Sequence, residues 1–278
     1  MKTARIGVLA AVLFALSGCI TFLTEIHVRP DGSGTLVQTM TMNPQAMMGA
    51  MDAFAKGMGA TGSGEVKETK EEKKPFSPSE LAEKTKDLGE GVTFVSADEI
   101  KTPTAEGVRV TYAFRDINRL YVNPKPGAAT GMEGAGRSAR NAMTFRFERK
   151  GDRSILTAVL PPNADKKNEA PPTAPSADID DQQLAMLKQM FKGMHLGFTV
   201  EVDGRITSTT SPFRSGNRVT LFDLDFDPLL EKPETLKALN ASFAGAMGDD
   251  AKAAAALSKV PGLKIDPKPE VRIEFAAR

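Results

Sequence analysis

A single cysteine in 278 residues, placed at position 19 behind a short apolar leader, sets the terms on which this chain can fold. No second thiol exists to pair with it, so no intramolecular disulfide can staple the domain, and the fold must stand on packing alone. The leader has a basic start (Lys2, Arg5), an apolar run of 11 residues from Ile6 to Leu16, and the small residues Ser17 and Gly18. A helix needs about 20 apolar residues to cross the hydrocarbon core, so residues 1–18 read as a signal peptide that takes no part in the fold. The remainder, 19–278, is long enough for a single domain with a substantial core. With no Trp and only two Tyr, that core must be filled by Phe, Leu, Val and Met.

The residues Leu16-Ser17-Gly18-Cys19 match the bacterial lipobox, in which the thiol receives a diacylglyceryl group and becomes the first residue of the mature protein. The reading that follows is an exported protein held in the cell envelope by acyl chains on Cys19. Ile20 stands where an aspartate would mark inner-membrane retention, so in a Gram-negative cell the expected destination is the outer membrane, facing the periplasm. Of 36 basic and 35 acidic residues, the leader removes Lys2 and Arg5 and no acid, leaving 34 against 35. A chain so balanced lacks the basic face that nucleic acid demands, and no polybasic grip on anionic lipid is expected either. Each buried methylene contributes about 0.8 kcal/mol, so two or more acyl chains hold the membrane unaided.

From Ile20 to Val28 apolar and polar residues alternate, which predicts a strand beginning one residue after Cys19 with no linker. Pro30-Asp31-Gly32-Ser33-Gly34 supplies turn chemistry, and Thr35 to Met42 returns as the second arm of a hairpin. Pro44 to Met58 places Met47, Met51, Phe54 and Met58 on one helical face, and Ser77 to Leu88 reads as a short helix stopped by Gly89. Strands are predicted over Val92–Ala97, Val108–Phe114, Ala142–Glu148, Ser154–Leu160, Leu196–Val202, Arg205–Thr210, Arg218–Phe226 and Val271–Phe275, and further helices over Ile179–Met194, Glu234–Met247 and the alanine-rich stretch to about Lys259. Segments near 59–76, 123–141 and 161–177 are rich in Gly, Pro or charge and read as flexible surface loops. The tally predicts an α+β domain: an antiparallel sheet of hairpins, open or partly closed like a barrel, with amphipathic helices packed on one face.

Chemistry-bearing patterns are few. Gly57-Met58-Gly59-Ala60-Thr61-Gly62 has dinucleotide-loop spacing, but it ends a helix instead of opening one after a strand. Asp223, Asp225 and Asp227 with Glu234 mimic a calcium loop, yet Pro228 occupies the position that needs glycine, and the aspartates read as the solvated face of a strand. The two histidines, His27 and His195, have no Ser or Cys partner in any recognisable motif, so no catalytic residues, no metal and no cofactor are expected. The methionine-rich stripe Met47, Met51, Phe54 and Met58 has the soft, adaptable chemistry of a core or of a surface for an apolar ligand.

The order of features, from the lipobox through Asp31-Gly32-Ser33-Gly34-Thr35-Leu36, Tyr112-Ala113-Phe114-Arg115-Asp116-Ile117-Asn118 and Val202-Asp203-Gly204-Arg205-Ile206 to Ser215-Gly216-Asn217-Arg218-Val219-Thr220, resembles the mycobacterial LppM-type lipoproteins. The resemblance implies an α+β surface domain with a lipid-binding role and carries over no catalytic residue. The expectation is thus a non-enzymatic, membrane-anchored envelope lipoprotein that binds a lipid or other apolar ligand near the membrane surface. The alternative is a structural or assembly lipoprotein that binds other envelope proteins without a small ligand.

Overall fold

The structure, a computed structural model, describes residues 20–45, 78–123, 142–160, 188, 192–231, 258, 260, 263–266 and 268–277. Cys19, the leader, the stripe Met47, Met51, Phe54 and Met58, the glycines 57–62, the three predicted loops but for Asn123, and nearly all of the helices predicted at 179–194, 234–247 and beyond lie outside the described residues.

Two open sheets make the fold. Strands β1 (Ile20–Val28), β2 (Gly34–Met42), β3 (Val92–Lys101), β4 (Glu106–Phe114), β7 (His195–Val202), β9 (Arg214–Ser215), β10 (Arg218–Asp225) and β11 (Leu263–Ile265) form an eight-stranded sheet in the order β11-β10-β7-β1-β2-β4-β3, with β9 on β10. Strands β5 (Thr144–Lys150), β6 (Arg153–Val159), β8 (Arg205–Thr209) and β12 (Glu270–Ala276) form a second sheet in the order β5-β6-β12-β8. Every predicted strand is present, and the described helices are short: α1 (Pro78–Glu83), α2 (Thr85–Leu88) and α3 (Asp227–Leu230). No helical layer on a sheet face is found among the described residues; the partner that covers the inner face of one sheet is the other sheet. The predicted helix 77–88 is broken at Lys84 and ends on Gly89, whose φ of 124° falls in the region that favours glycine.

The first hairpin shows how local chemistry sets register. Arg29 N–H donates to Ser33 O and the Asp31 carboxylate accepts from both the N–H and the hydroxyl of Ser33, closing the turn at Gly32, φ 84°. All nine residues of β1 then pair with β2, from Ile20 opposite Met42 to Val28 opposite Gly34. Gly34 is required by crowding: a Cβ there would stand 1.9 Å from the His27 carbonyl oxygen and 2.6 Å from the Phe114 ring.

Two departures from the predicted antiparallel hairpins matter. β1 pairs with β7 in parallel, Thr21 opposite His195 through Val28 opposite Val202, so residues far apart in the chain meet at the middle of the sheet. The expected β7–β8 hairpin does not form either: the chain leaves the first sheet at Asp203-Gly204, where Asp203 N–H donates to Val28 O, and β8 pairs with β12 in the second sheet. Adjacent strands need not share a sheet when both have an apolar face to bury.

One core fills the space between the sheets. Ile26, Leu36, Tyr112, Phe198 and Val200 from the first meet Phe145, Leu156, Ile273 and Phe275 from the second, all nearly or wholly inaccessible. Fully burying such a side chain contributes about 1.5–3 kcal/mol. Burial pushes the Tyr112 phenol up to about 12. A bulge at Leu221 lets that residue and Phe222 both reach apolar surroundings, and it frees the Leu221 carbonyl to accept the N–H of Asp266.

Candidate functional site

Period-two alternation sends one set of side chains from the eight-stranded sheet into the core and the other set outward. Because β7 lies between β1 and β10, outward residues from three strands of very different sequence position are placed side by side. Two polar networks result, one toward each end of β7.

At the start of β7, His195 Nε2 lies 2.7 Å from Asp223 Oδ1 on β10, and Lys264 Nζ on β11 lies 2.8 Å from Asp223 Oδ2. One carboxylate thereby ties three strands together, with side chains about a third or less exposed at His195 and Asp223. The hydrogen bond to Asp223 raises the His195 imidazole above its ordinary value against the opposing effect of burial. The same bond, with Lys264 adding to it, holds the Asp223 carboxyl down at about 2. Asp225 and Asp227 are engaged elsewhere: Asp225 Oδ1 accepts from Asp227 N–H, and Asp227 Oδ1 accepts from Gly193 N–H. The aspartates of the calcium-loop mimic therefore serve three separate contacts, and among the described residues no three His, Cys, Asp or Glu side chains gather to hold a metal ion.

Toward the end of β7, Glu201 sits directly across the parallel ladder from His27, with His27 Nδ1 3.8 Å from Glu201 Oε2. Arg218 on β10 is closer: NH2 lies 2.9 Å from that same oxygen, while NH1 lies 3.2 Å from Glu25 Oε1 on β1. Asn217 Nδ2 donates to Glu201 Oε1 and to Val202 O. Burial would raise the Glu201 carboxyl, but the hydrogen bond and charge of Arg218, helped by His27 and Asn217, outweigh it and hold the group below its ordinary range. A groove of about 500 Å³ opens beside this network, lined among others by His27, Arg29, Thr35, Glu201, Asp203 and Asn217.

Chemically, the first network is a carboxylate held between His195 and Lys264, and the second is a guanidinium held between the carboxylates of Glu25 and Glu201. Neither histidine contacts a serine hydroxyl or a thiol among the described residues. The outward placement of His27 and the strand-face placement of Asp223 agree with the sequence, whereas the pairing of each with a residue on a distant strand has no local signal. Among the other methionines, Met40 is buried on the inner face and Met42 closes β2 half-buried.

No family model matches the chain, and no curated protein matches it. Among solved structures, the NMR structure of the folded domain of LppM from Mycobacterium tuberculosis aligns over 94% of this chain and 91% of that one, at 10% identity and a TM-score of 0.33. A superposition that loose leaves the reading of this protein to its own residues.

Proposed function

We propose that this protein is a non-enzymatic envelope lipoprotein, anchored through acyl chains on Cys19, that binds a lipid or other apolar ligand close to the membrane surface. The observation that carries the reading is the start of β1. Ile20 is already paired with Met42, so the chain passes from the lipobox cysteine into the centre of a sheet without a spacer. A domain joined so closely to its lipid works at the bilayer surface and nowhere else. The ligand-facing residues in this reading are Met47, Met51, Phe54 and Met58, whose helical spacing and soft side chains suit an adaptable apolar contact. The same polar balance that argues against nucleic acid leaves the anchor as the means of attachment.

A second reading, a structural or assembly lipoprotein that binds other envelope proteins, is favoured by one observation: the groove beside Glu201 has polar and charged walls, suited to a peptide more than to an acyl chain. One measurement tests the anchor that both readings share, and a second separates the readings. Cys19→Ser is expected to move the protein from the membrane to the soluble fraction, and retention in the membrane after the leader is removed would defeat the anchor. Native mass spectrometry of the purified protein is expected to show co-purifying lipid; its absence, together with a melting temperature indifferent to added lipid, would leave the second reading.

A further inference from the structure

We infer that the domain stands end-on to the bilayer, with the end of the eight-stranded sheet formed by Ile20, the 102–105 loop and the His195–Asp223–Lys264 array against the lipid headgroups. The inference rests on the acylation of Cys19 proposed above.

The strand ladder gives the sheet its polarity. Consecutive Cα atoms are about 3.8 Å apart, so Ile20 is held within a few ångströms of the acylated residue. Ile20 stands opposite Met42, Met42 opposite Glu106 and Glu106 opposite Lys101, one continuous row at one end of the sheet. The parallel partner adds His195 beside Thr21, and antiparallel β10 adds Asp225 beside His195. Nine residues of β1 rise by about 30 Å, which carries Val28 and the Arg29–Ser33 turn to the other end.

A sheet lying flat is excluded on both faces. The inner face is covered by the second sheet. The outer face holds Glu25, Arg218, Glu201 and His27, and pressing it into the interface would desolvate charges that are partly open to water. The end-on arrangement asks for no such loss. Among the described residues, Lys101 is matched to Glu106 at 3.4 Å and both His195 and Lys264 contact Asp223, with Asp225 and Asp227 adding negative charge. The contact is therefore set by the tether and not by attraction to anionic lipid.

Cys19 is the sole native cysteine and acylation consumes its sulfur, so one introduced cysteine can be labelled alone. Thr104→Cys places a fluorophore in the exposed loop at the anchored end; Arg115→Cys places it just past Phe114, which pairs with Gly34 at the far end. The full-length chain, processed in a lipoprotein-exporting bacterium, is reconstituted into phosphatidylethanolamine vesicles with and without phosphatidylglycerol, each containing a lipid with a nitroxide on its headgroup. The expected result is severalfold stronger quenching at position 104 than at 115. That ratio should survive omission of phosphatidylglycerol and also about 0.5 M salt, where the screening length falls to about 4 Å. Equal or reversed quenching in protein that floats with the vesicles overturns the orientation. A ratio that collapses in salt overturns the tether as its cause. Protein that fails to float, with no acyl mass on its N-terminal peptide, removes the lipidation and the orientation together.

Discussion

Strand β7 has a histidine–carboxylate pairing toward each end, and the two are built in opposite senses. At its start the histidine belongs to β7 and the acid to β10, and imidazole and carboxylate are in direct hydrogen-bond contact. Farther along, the acid belongs to β7 and the histidine to β1, but Arg218 has taken the carboxylate and His27 stands off at 3.8 Å. The difference teaches that sharing a ladder position does not make a pair. Glu201 has one strong cationic partner, a guanidinium whose fork also reaches Glu25, and the imidazole is left as a neighbour.

The largest expected effect comes from removing that fork. Arg218→Ala strips Glu25 and Glu201 of their shared cation and is expected to cost about 1–2 kcal/mol, the scale of hydrogen bonds to charged groups reduced for a side chain partly open to water. Chemical denaturation measures it, and a loss no greater than that of an exposed surface substitution would dissolve the contrast.

Asp223→Asn comes next, at about 1 kcal/mol near neutral pH, and it has a pH signature. Asp223 titrates at about 2 in the folded protein against an ordinary 3.8, so its contribution is complete above the ordinary value and disappears as pH falls through about 2. His195 is shifted upward from 6.5, so its contribution is complete below that value and disappears as pH rises through the folded one. Wild-type protein should lose melting temperature in both windows, and Asp223→Asn should flatten both. A variant that keeps the alkaline loss would show that Asp223 does not hold the His195 proton.

The smallest effect belongs to His27→Gln. With Glu201 held by Arg218, it should stay within about 0.5 kcal/mol of wild type, as an exposed ion pair at that distance would. A cost matching Asp223→Asn would make the two ends equivalent.

How far the sequence could be read follows the range of the interactions. The β1–β2 hairpin was legible because alternation and the Asp31-Gly32 turn lie within one short stretch, and β5–β6 was legible around Gly151-Asp152 for the same reason. The parallel β1–β7 pairing was not, because no residue of β1 states which distant strand will lie beside it. The crossing at Asp203-Gly204 has the same two residues that a tight hairpin would use. β11 is three residues long, too short for a period to register. The bulge at Leu221 switches the alternation partway along β10, so Val219 and Leu221 face inward before it and Phe222 and Leu224 after it, opposite Phe198 and Leu196; a strict period of two accounts for only one of these sets. Of the site, outward placement of His27 and Asp223 was legible; the Arg218 and Lys264 that define their surroundings were not.

The parallel seam also has a consequence in time. A chain made from its N-terminus first can assemble β1, β2, β3 and β4 as a local antiparallel unit, but β1 remains an open edge until His195–Val202 emerges. For that interval the free side of this nine-residue strand, every second residue of it, offers unpaired N–H and C=O groups to any passing strand, the setting in which mispairing and aggregation begin. Closure across so long a separation is also slow. The acyl tether proposed on Cys19 would hold this edge at the bilayer, away from other unfinished chains, and guard the molecule while its centre is still missing.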